Sequence, residues 1–452
     1  MVGAGIVTFA CIYGSLLALG SGNLERQDAF PGAQGFGRSA QGGRSGSIIY
    51  VDNLNDAGPG SLRACIEASG ARTCVFRVSG IIELHSSLVV EREGGFLSVL
   101  GQTAPGDGIL ITVRERPGTV HLTPLVIKNT HDVIVRHLRL RPQIGNGRPN
   151  VDGVTIENSL RVYLDHISTS WATDENINAH GDTTDLTIAY SIFGQGLRNH
   201  SKCALLGSDP TAPQRISFWR NACISNGDRN PDSNHYAGSC IEITNNVFFN
   251  ARSEWSEIFT QFPGGTPVIL RDNVFKAGPS TNEITFAIKW HRDASVASPV
   301  IFERGNRIIA HHDTRPVLVA PDTRQWITNT PSCEAAAPSI GSAFAAYTEV
   351  RQGAGAFPRD EVDREFMGQM GGLSSPGHGA ITSEPGRLPR MRSARPYSDS
   401  DRDGMADGLE PSLGAVVGRF DPWLDGNSDG WTNLDEFTQW LSHERIEGRY
   451  PR

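Results

Sequence analysis

The chain has little of what helical bundles and basic surfaces are made from. Charged residues are 20% of the 452, aromatics 8%, methionine occurs 5 times and lysine is scarce, while glycine occurs 50 times. Few helix formers and many turn formers argue for a β-rich chain. The net charge of −8 shows no basic footprint of the kind that nucleic acid demands, and an anionic partner would need a local cationic site. Outside the first twenty residues no apolar run reaches the length of a membrane-spanning helix. There is no CxxC pair and no cysteine–histidine cluster, which removes the usual zinc sites.

The N-terminal apolar stretch (Ile6 to Ala10, then Leu16 to Gly20) is expected to be a signal peptide over residues 1–22, although no Lys or Arg precedes it. A secreted chain would keep six cysteines once Cys11 leaves with the leader: Cys65, Cys74, Cys203, Cys223, Cys240 and Cys333. Cys65 and Cys74 bracket a short turn, Glu67 to Gly70, and are expected to pair. The other connections stay open.

From Val133 to Ile309 one theme recurs, an apolar, often β-branched strand closing near Asn or His. Matching apolar positions at Leu138, Ile167, Ile192, Ala222, Val247 and Val274 are 29, 25, 30, 25 and 27 residues apart. Short strands at such a period, divided by Gly, Asn, Asp and Ser, predict an all-β solenoid: a right-handed parallel β-helix over residues 27–325. Asn221, Asn246, Asn273 and Asn306 suit left-handed turn positions and stacking between coils. Residues 326–396 read as a capping segment and linker, and residues 397–452 as a small calcium-binding module.

That module carries two twelve-residue loops of EF-hand-like pattern. Asp399, Asp401, Asp403, Gly404, Asp407 and Glu410 hold positions 1, 3, 5, 6, 9 and 12 of the first, with Met405 offering a carbonyl at 7. Asp425, Asn427, Asp429, Gly430, Asn433 and Glu436 repeat the pattern 26 residues on, with Trp431 at 7. Alternate side chains turn inward, glycine permits the bend, and the last carboxylate closes the shell. The expected role is structural or docking to a protein partner.

The central coils hold a second constellation: Asp152, then Asp165 and His166, then Asp174 with Glu175, Asn176 and Asn178, then Lys202, then Arg229. Oxygen ligands on coils about 4.8 Å apart can converge on a hard cation. Carboxylates followed by a lysine and an arginine form a mixed row suited to an anionic chain.

The sequence resembles the pectate lyase family with its pectate-lyase-C-like β-helix. The carriers run through Ala29 to Gly37, Gly58 to Arg63, Gly101 to Gly108, Leu164 to His166, Ser170 and Trp171 with Asp174 and Glu175, Lys202, and Arg229 to Pro231. The resemblance covers Ala29 to Arg307. It implies calcium-dependent β-elimination on polygalacturonate or a related uronic-acid glycan. Asp152, Asp174 and Asn178 would sit at the catalytic calcium, Asn178 where the family usually has Asp. Lys202 would bind the uronate carboxylate, with His200 and Arg220 in the sugar-binding set, and Arg229 would take the proton from carbon 5. An arginine base must lose its proton against an ordinary pKa above 12, which predicts an alkaline optimum.

Two departures bear on the substrate. The family's second arginine after Arg-x-Pro is missing, the chain reading Asp232, Ser233, Asn234, and Trp219 and Arg220 stand where relatives often carry two histidines. A glycan-binding β-helix without activity, or a β-helix hydrolase using paired carboxylates, are the alternatives; the hydrolase lacks its Gly-His-Gly signature. The expected partner is an acidic polysaccharide, and the expected state a secreted monomer.

Overall fold

A computed structural model describes residues 27–114, 122–145, 148–292 and 295–451. The expected signal peptide lies outside them. Three parallel sheets wind into a right-handed β-helix. Sheet I has eleven strands, from Ser47–Val51 to Ile327–Thr328. Sheet II has nine, from Gly80–Leu84 to Arg307–Ile309, and sheet III has nine, from Leu88–Glu91 to Val317–Val319. Each coil visits the sheets in that order, as in His131–Arg136, Leu138–Leu140 and Val154–Glu157.

The repeats do this because each coil supplies inward apolar side chains that stack on those of the next, forming one continuous core along the axis. Phe218 and Phe248 stack with centroids 6.4 Å apart, and Phe248 and Phe275 at 5.0 Å. The short helix α1 (Leu62–Ile66) closes the N-terminal end by placing Leu62, Cys65 and Ile66 in that core.

The asparagines form a buried ladder, one rung per coil. The backbone N–H of Asn221 donates to Asn246 Oδ1 at 2.8 Å, that of Asn246 to Asn273 at 2.8 Å, and that of Asn273 to Asn306 at 2.9 Å. Their amide nitrogens donate to strand carbonyls of Ile188, Phe218, Ile243 and Leu270. The left-handed backbone falls one residue earlier than expected, on Arg220, Asn245 and Asp272.

The predicted repeat is right apart from one slip. Ile192, Ala222, Val247 and Val274 pair in register, but Ile192 pairs with Ser168 and not with Ile167. Ile167 points into the core, whereas the other four face outward beneath helices α2 (Ala343–Gly353) and α3 (Glu361–Met370). Ser168 takes the outward position because its hydroxyl donates to Asp363 at 2.9 Å and accepts from Ala356 N at 2.9 Å.

The stretch expected to cap the helix thus covers its flank. α2 and α3 lie on the outer face of sheet II, and a buried network of Arg139, Arg141, Asp360 and Asp363 pins α3 to it, with Arg141 Nη1 2.6 Å from Asp360 and Nη2 2.7 Å from Asp363. Three disulfides are present, Cys65–Cys74 as expected, Cys203–Cys223 and Cys240–Cys333.

The C-terminal module, with helices α4 (Glu410–Leu413) and α5 (Asn433–Ile446), is seated on sheet I. Arg44 Nε bonds Asp435 at 2.9 Å, His137 Nε2 meets Ser442 Oγ at 2.7 Å, and Arg445 donates to the carbonyls of Ala104 and Gly106. The N-terminal loop lies beside it on the same sheet. Gly37 is obligatory there, since a Cβ would overlap the carbonyl oxygen of Val162.

Candidate active site

The II-to-III connections deliver the chemical side chains to the N-terminal edge of sheet III. Asp152 precedes Val154–Glu157, Glu175 and Lys202 each open a strand, and Asp228 makes an isolated bridge with Lys202. Glu175 pairs in register with Lys202. Parallel pairing therefore stacks Asp152, Glu175, Lys202 and Asp228 as successive rungs, and Arg229 follows in the next position.

Carboxylate oxygens of Asp152, Asp174 and Glu175 lie within 4.8 Å of one another. Burial raises the Asp152 carboxyl well above the usual range, and Glu175 and Asp174 add to it. Glu175 is raised too, again by burial first, with Arg229 opposing and Asp174 reinforcing. Three crowded carboxylates, of which Asp152 and Glu175 resist ionisation, fit an oxygen-binding cation such as calcium. Glu175 is the member of this cluster that sequence reasoning did not assign to a metal, because its neighbour Asp174 carried the expectation.

Asn178, expected at the metal, borders the carboxylate cluster. Its amide nitrogen donates to Asp152 Oδ2 at 3.1 Å, while its oxygen meets His180 Nδ1 at 3.0 Å. It holds Asp152 in place, as Thr155 does with a 2.6 Å bond to the same oxygen. His200 sits at the rim, with Nδ1 2.6 Å from Asp174 Oδ1. Burial and the nearby Lys202 lower its pKa.

Lys202 is 5% exposed and forms no ion pair with a described residue. Arg229, by contrast, is gripped. Its Nη1 is ion-paired with Glu175, and its Nε lies 3.2 Å from Asp232 Oδ2. Burial works to lower its pKa, but Asp232 and Glu175 win and hold it above the ordinary arginine value. Burial pushes Asp232 itself up to about 7. Glu257, one coil on, is raised well above its usual value by burial and by a hydrogen bond with Asp228.

Two sequence expectations fall away from this site. Arg220 is at the corner between sheets I and II, ion-paired with Glu349 of α2, bonded to Tyr190 and stacked 4.2 Å over Trp219. Coil spacing gave its position along the axis but not its face. Asp165 and His166 share that corner: Asp165 bonds Arg136 at 2.9 Å, and the His166 ring stacks between His137 and Tyr190.

In the C-terminal module, Asp399, Asp401 and Asp403 of the first loop also converge within 4.8 Å. Asp407 turns back onto the loop, accepting from Ser400 N at 2.8 Å. In the second loop Asn433 is directed away, accepting from Gly426 N and donating to the carbonyl of Asp421, both at 2.9 Å.

No family model matches the chain. The probable pectate lyase C of Aspergillus flavus is 32% identical over 427 residues, spanning 90% of this chain and 92% of that protein. The chain belongs to the pectate lyase family. Its counterpart in Aspergillus fumigatus is 33% identical over 430 residues, with the same coverage. Membership makes the chain a carbon–oxygen lyase acting on polysaccharide. Among solved structures, the cedar pollen allergen Jun a 1 superposes with a TM-score of 0.55 at 18% identity, covering 75% of this chain and 97% of that one. A thermostable pectate lyase superposes at 0.54 and 14% identity, covering 74% and 97%. Both share the β-helix.

Proposed function

We propose that this lyase cleaves polygalacturonate, or a closely related uronic-acid polymer, by calcium-dependent β-elimination outside the cell. The reading is carried by one observation: a carboxylate cluster, a lysine without an ion-pair partner among the described residues, and an arginine beside the following rung lie along one sheet edge. The family relatives named as pectate lyases support the substrate, and three disulfides with no membrane-length apolar helix among the described residues support export.

Asp152, Asp174 and Glu175 would hold the calcium ion. Bound there, calcium would neutralise a substrate carboxylate and so acidify the adjoining carbon 5 proton. Lys202 supplies a second positive charge to that carboxylate as the enolate-like charge develops. Arg229, deprotonated, accepts the proton. The electron pair of the broken C–H bond becomes the carbon 4–carbon 5 double bond, and the carbon 4–oxygen bond breaks, its pair leaving with the glycosidic oxygen, which takes up a proton from solvent. His200 borders the same edge and fits a role in positioning sugar. The chain is proposed to act as a monomer.

The grip of Asp232 on Arg229 favours a second reading, a β-helix that binds the polymer without cutting it. Incubation with polygalacturonate, with calcium and with chelator, beside Arg229→Ala, decides. Ultraviolet absorbance of unsaturated product should rise with calcium only, and fall at least about a hundredfold in the variant. Silence on this and other uronic-acid polymers would establish the binding reading.

A further inference from the structure

The first calcium-type loop contains a cation cradle that the proposed chemistry does not use. Asp403 and Glu410 are both 0% exposed, yet Asp403 Oδ2 and both Glu410 oxygens have no hydrogen-bond donor. Both oxygens of Asp401 are buried and unpartnered as well. A buried carboxylate without donor or counter-charge is strongly unfavourable, and here three belong to one loop, with Asp401 and Asp403 meeting Asp399 within 4.8 Å. Among the described residues no lysine or arginine forms an ion pair with any of the three. An all-oxygen set of aspartates and a glutamate around a glycine at φ 90° is the ligand chemistry of calcium.

Asp399 joins this cradle to the β-helix. Its Oδ2 accepts from the hydroxyl of Tyr50, on the first strand of sheet I, and Arg77 from the same sheet edge lies 3.7 Å away. Gly404 N donates to the Tyr50 oxygen at 3.0 Å, and Arg77 Nη2 donates to the Tyr397 carbonyl at 2.6 Å. A Cβ on Gly404 would touch Val75 and Ile48, so the loop rests directly on the first two coils.

The second loop differs in exposure. Residues 425–430 lie open to solvent, although Asp425 accepts from the backbone N–H groups of Asp429 and Gly430 just as Asp399 does from those of Asp403 and Gly404. Only Glu436 Oε2 is left buried without a donor there.

We infer that the first loop binds a structural calcium ion that clasps the C-terminal module to the first coils. The protein then has a second calcium dependence, of fold and not of catalysis. This builds on the calcium-dependent reading above but is measured separately from it.

The test uses the full chain. Thermal melting and limited proteolysis across residues 372–396 are compared in chelator and in calcium chloride for four proteins: the parent, Asp401→Asn with Glu410→Gln, Asp425→Asn with Glu436→Gln, and Glu175→Gln. Calcium should raise the parent's Tm by several degrees and protect the segment. The second-loop pair and Glu175→Gln should keep that rise, and the first-loop pair should lose it. Since Glu175→Gln removes a proposed catalytic ligand, a rise that survives in it is independent of the lyase reading. Tyr50→Phe leaves every loop ligand in place and should weaken calcium's protection of the segment. An unchanged rise in the first-loop pair, a rise abolished by Glu175→Gln alone, no rise in the parent, or parental protection in Tyr50→Phe would each overturn the clasp.

Discussion

Asp232 Oδ2 stands 3.2 Å from Arg229 Nε, so the proposed base works against a carboxylate three residues away on its own chain. A nearby anion stabilises the protonated guanidinium and delays the rise of activity with pH. Asp232 carries its charge only above about 7. In Asp232→Asn the alkaline limb of the pH–rate profile is expected to move to lower pH, by roughly one unit, with about tenfold more rate on the rising limb. An unmoved profile would mean that Arg229 is not the titrating base.

Glu175→Gln removes one carboxylate from the cluster and the ion-pair partner of Arg229 together. Activity should fall by roughly a hundredfold or more, and half-activation should require more calcium. Calcium titration of the initial rate measures both. A loss of rate with calcium demand unchanged would leave Glu175 as an arginine partner only.

Glu242 is 0% exposed, bonded to the Ser217 hydroxyl and to Ala337 N at 2.9 Å, and burial pushes it up to about 7. With the folded value raised, its contribution to stability is complete below about 4.5 and is lost as pH rises through about 7. Glu242→Gln keeps an accepting oxygen without the charge. It should gain up to about 3 kcal/mol above pH ~8 and little near pH ~5, read from denaturant melts at both. Equal effects at the two pH values would refute the charge argument.

Arg141 is wholly buried between Asp360 and Asp363. Arg141→Ala leaves Arg139 alone facing two buried carboxylates under α3 and should cost about 3–5 kcal/mol. A milder loss, under about 1 kcal/mol, would show that Arg139 alone satisfies the pair.

The coil architecture was legible because every turn restates one apolar pattern, and a repeat survives local irregularity. Ser168 shows where legibility stops: its position faces a helix almost two hundred residues later, and only that partner explains a polar residue there. The mixed-charge row was readable from coil spacing for Asp152, Asp174, Lys202 and Arg229. Spacing alone does not say which of two adjacent carboxylates aims at a cluster, nor which corner of the prism an arginine occupies, and Glu175 and Arg220 mark those two gaps. Some family-like motifs proved to hold the fold: Arg63 bonds Asp56 and the carbonyls of Ser86 and Ser87.

The wrapping of the prism has a consequence for how this molecule meets its surroundings. Sheet I lies under the N-terminal loop and the C-terminal module, and sheet II lies under α2 and α3. Neither covering lies on the third side, whose edge bears the carboxylates, Lys202 and Arg229. A long polymer embedded in a gel offers itself as a line and seldom as a free end. A body covered on two flanks and bearing those groups on the third can lie against such a line in one orientation only, so rotational search at the surface of the gel, as well as diffusion to it, would set how often a cut begins.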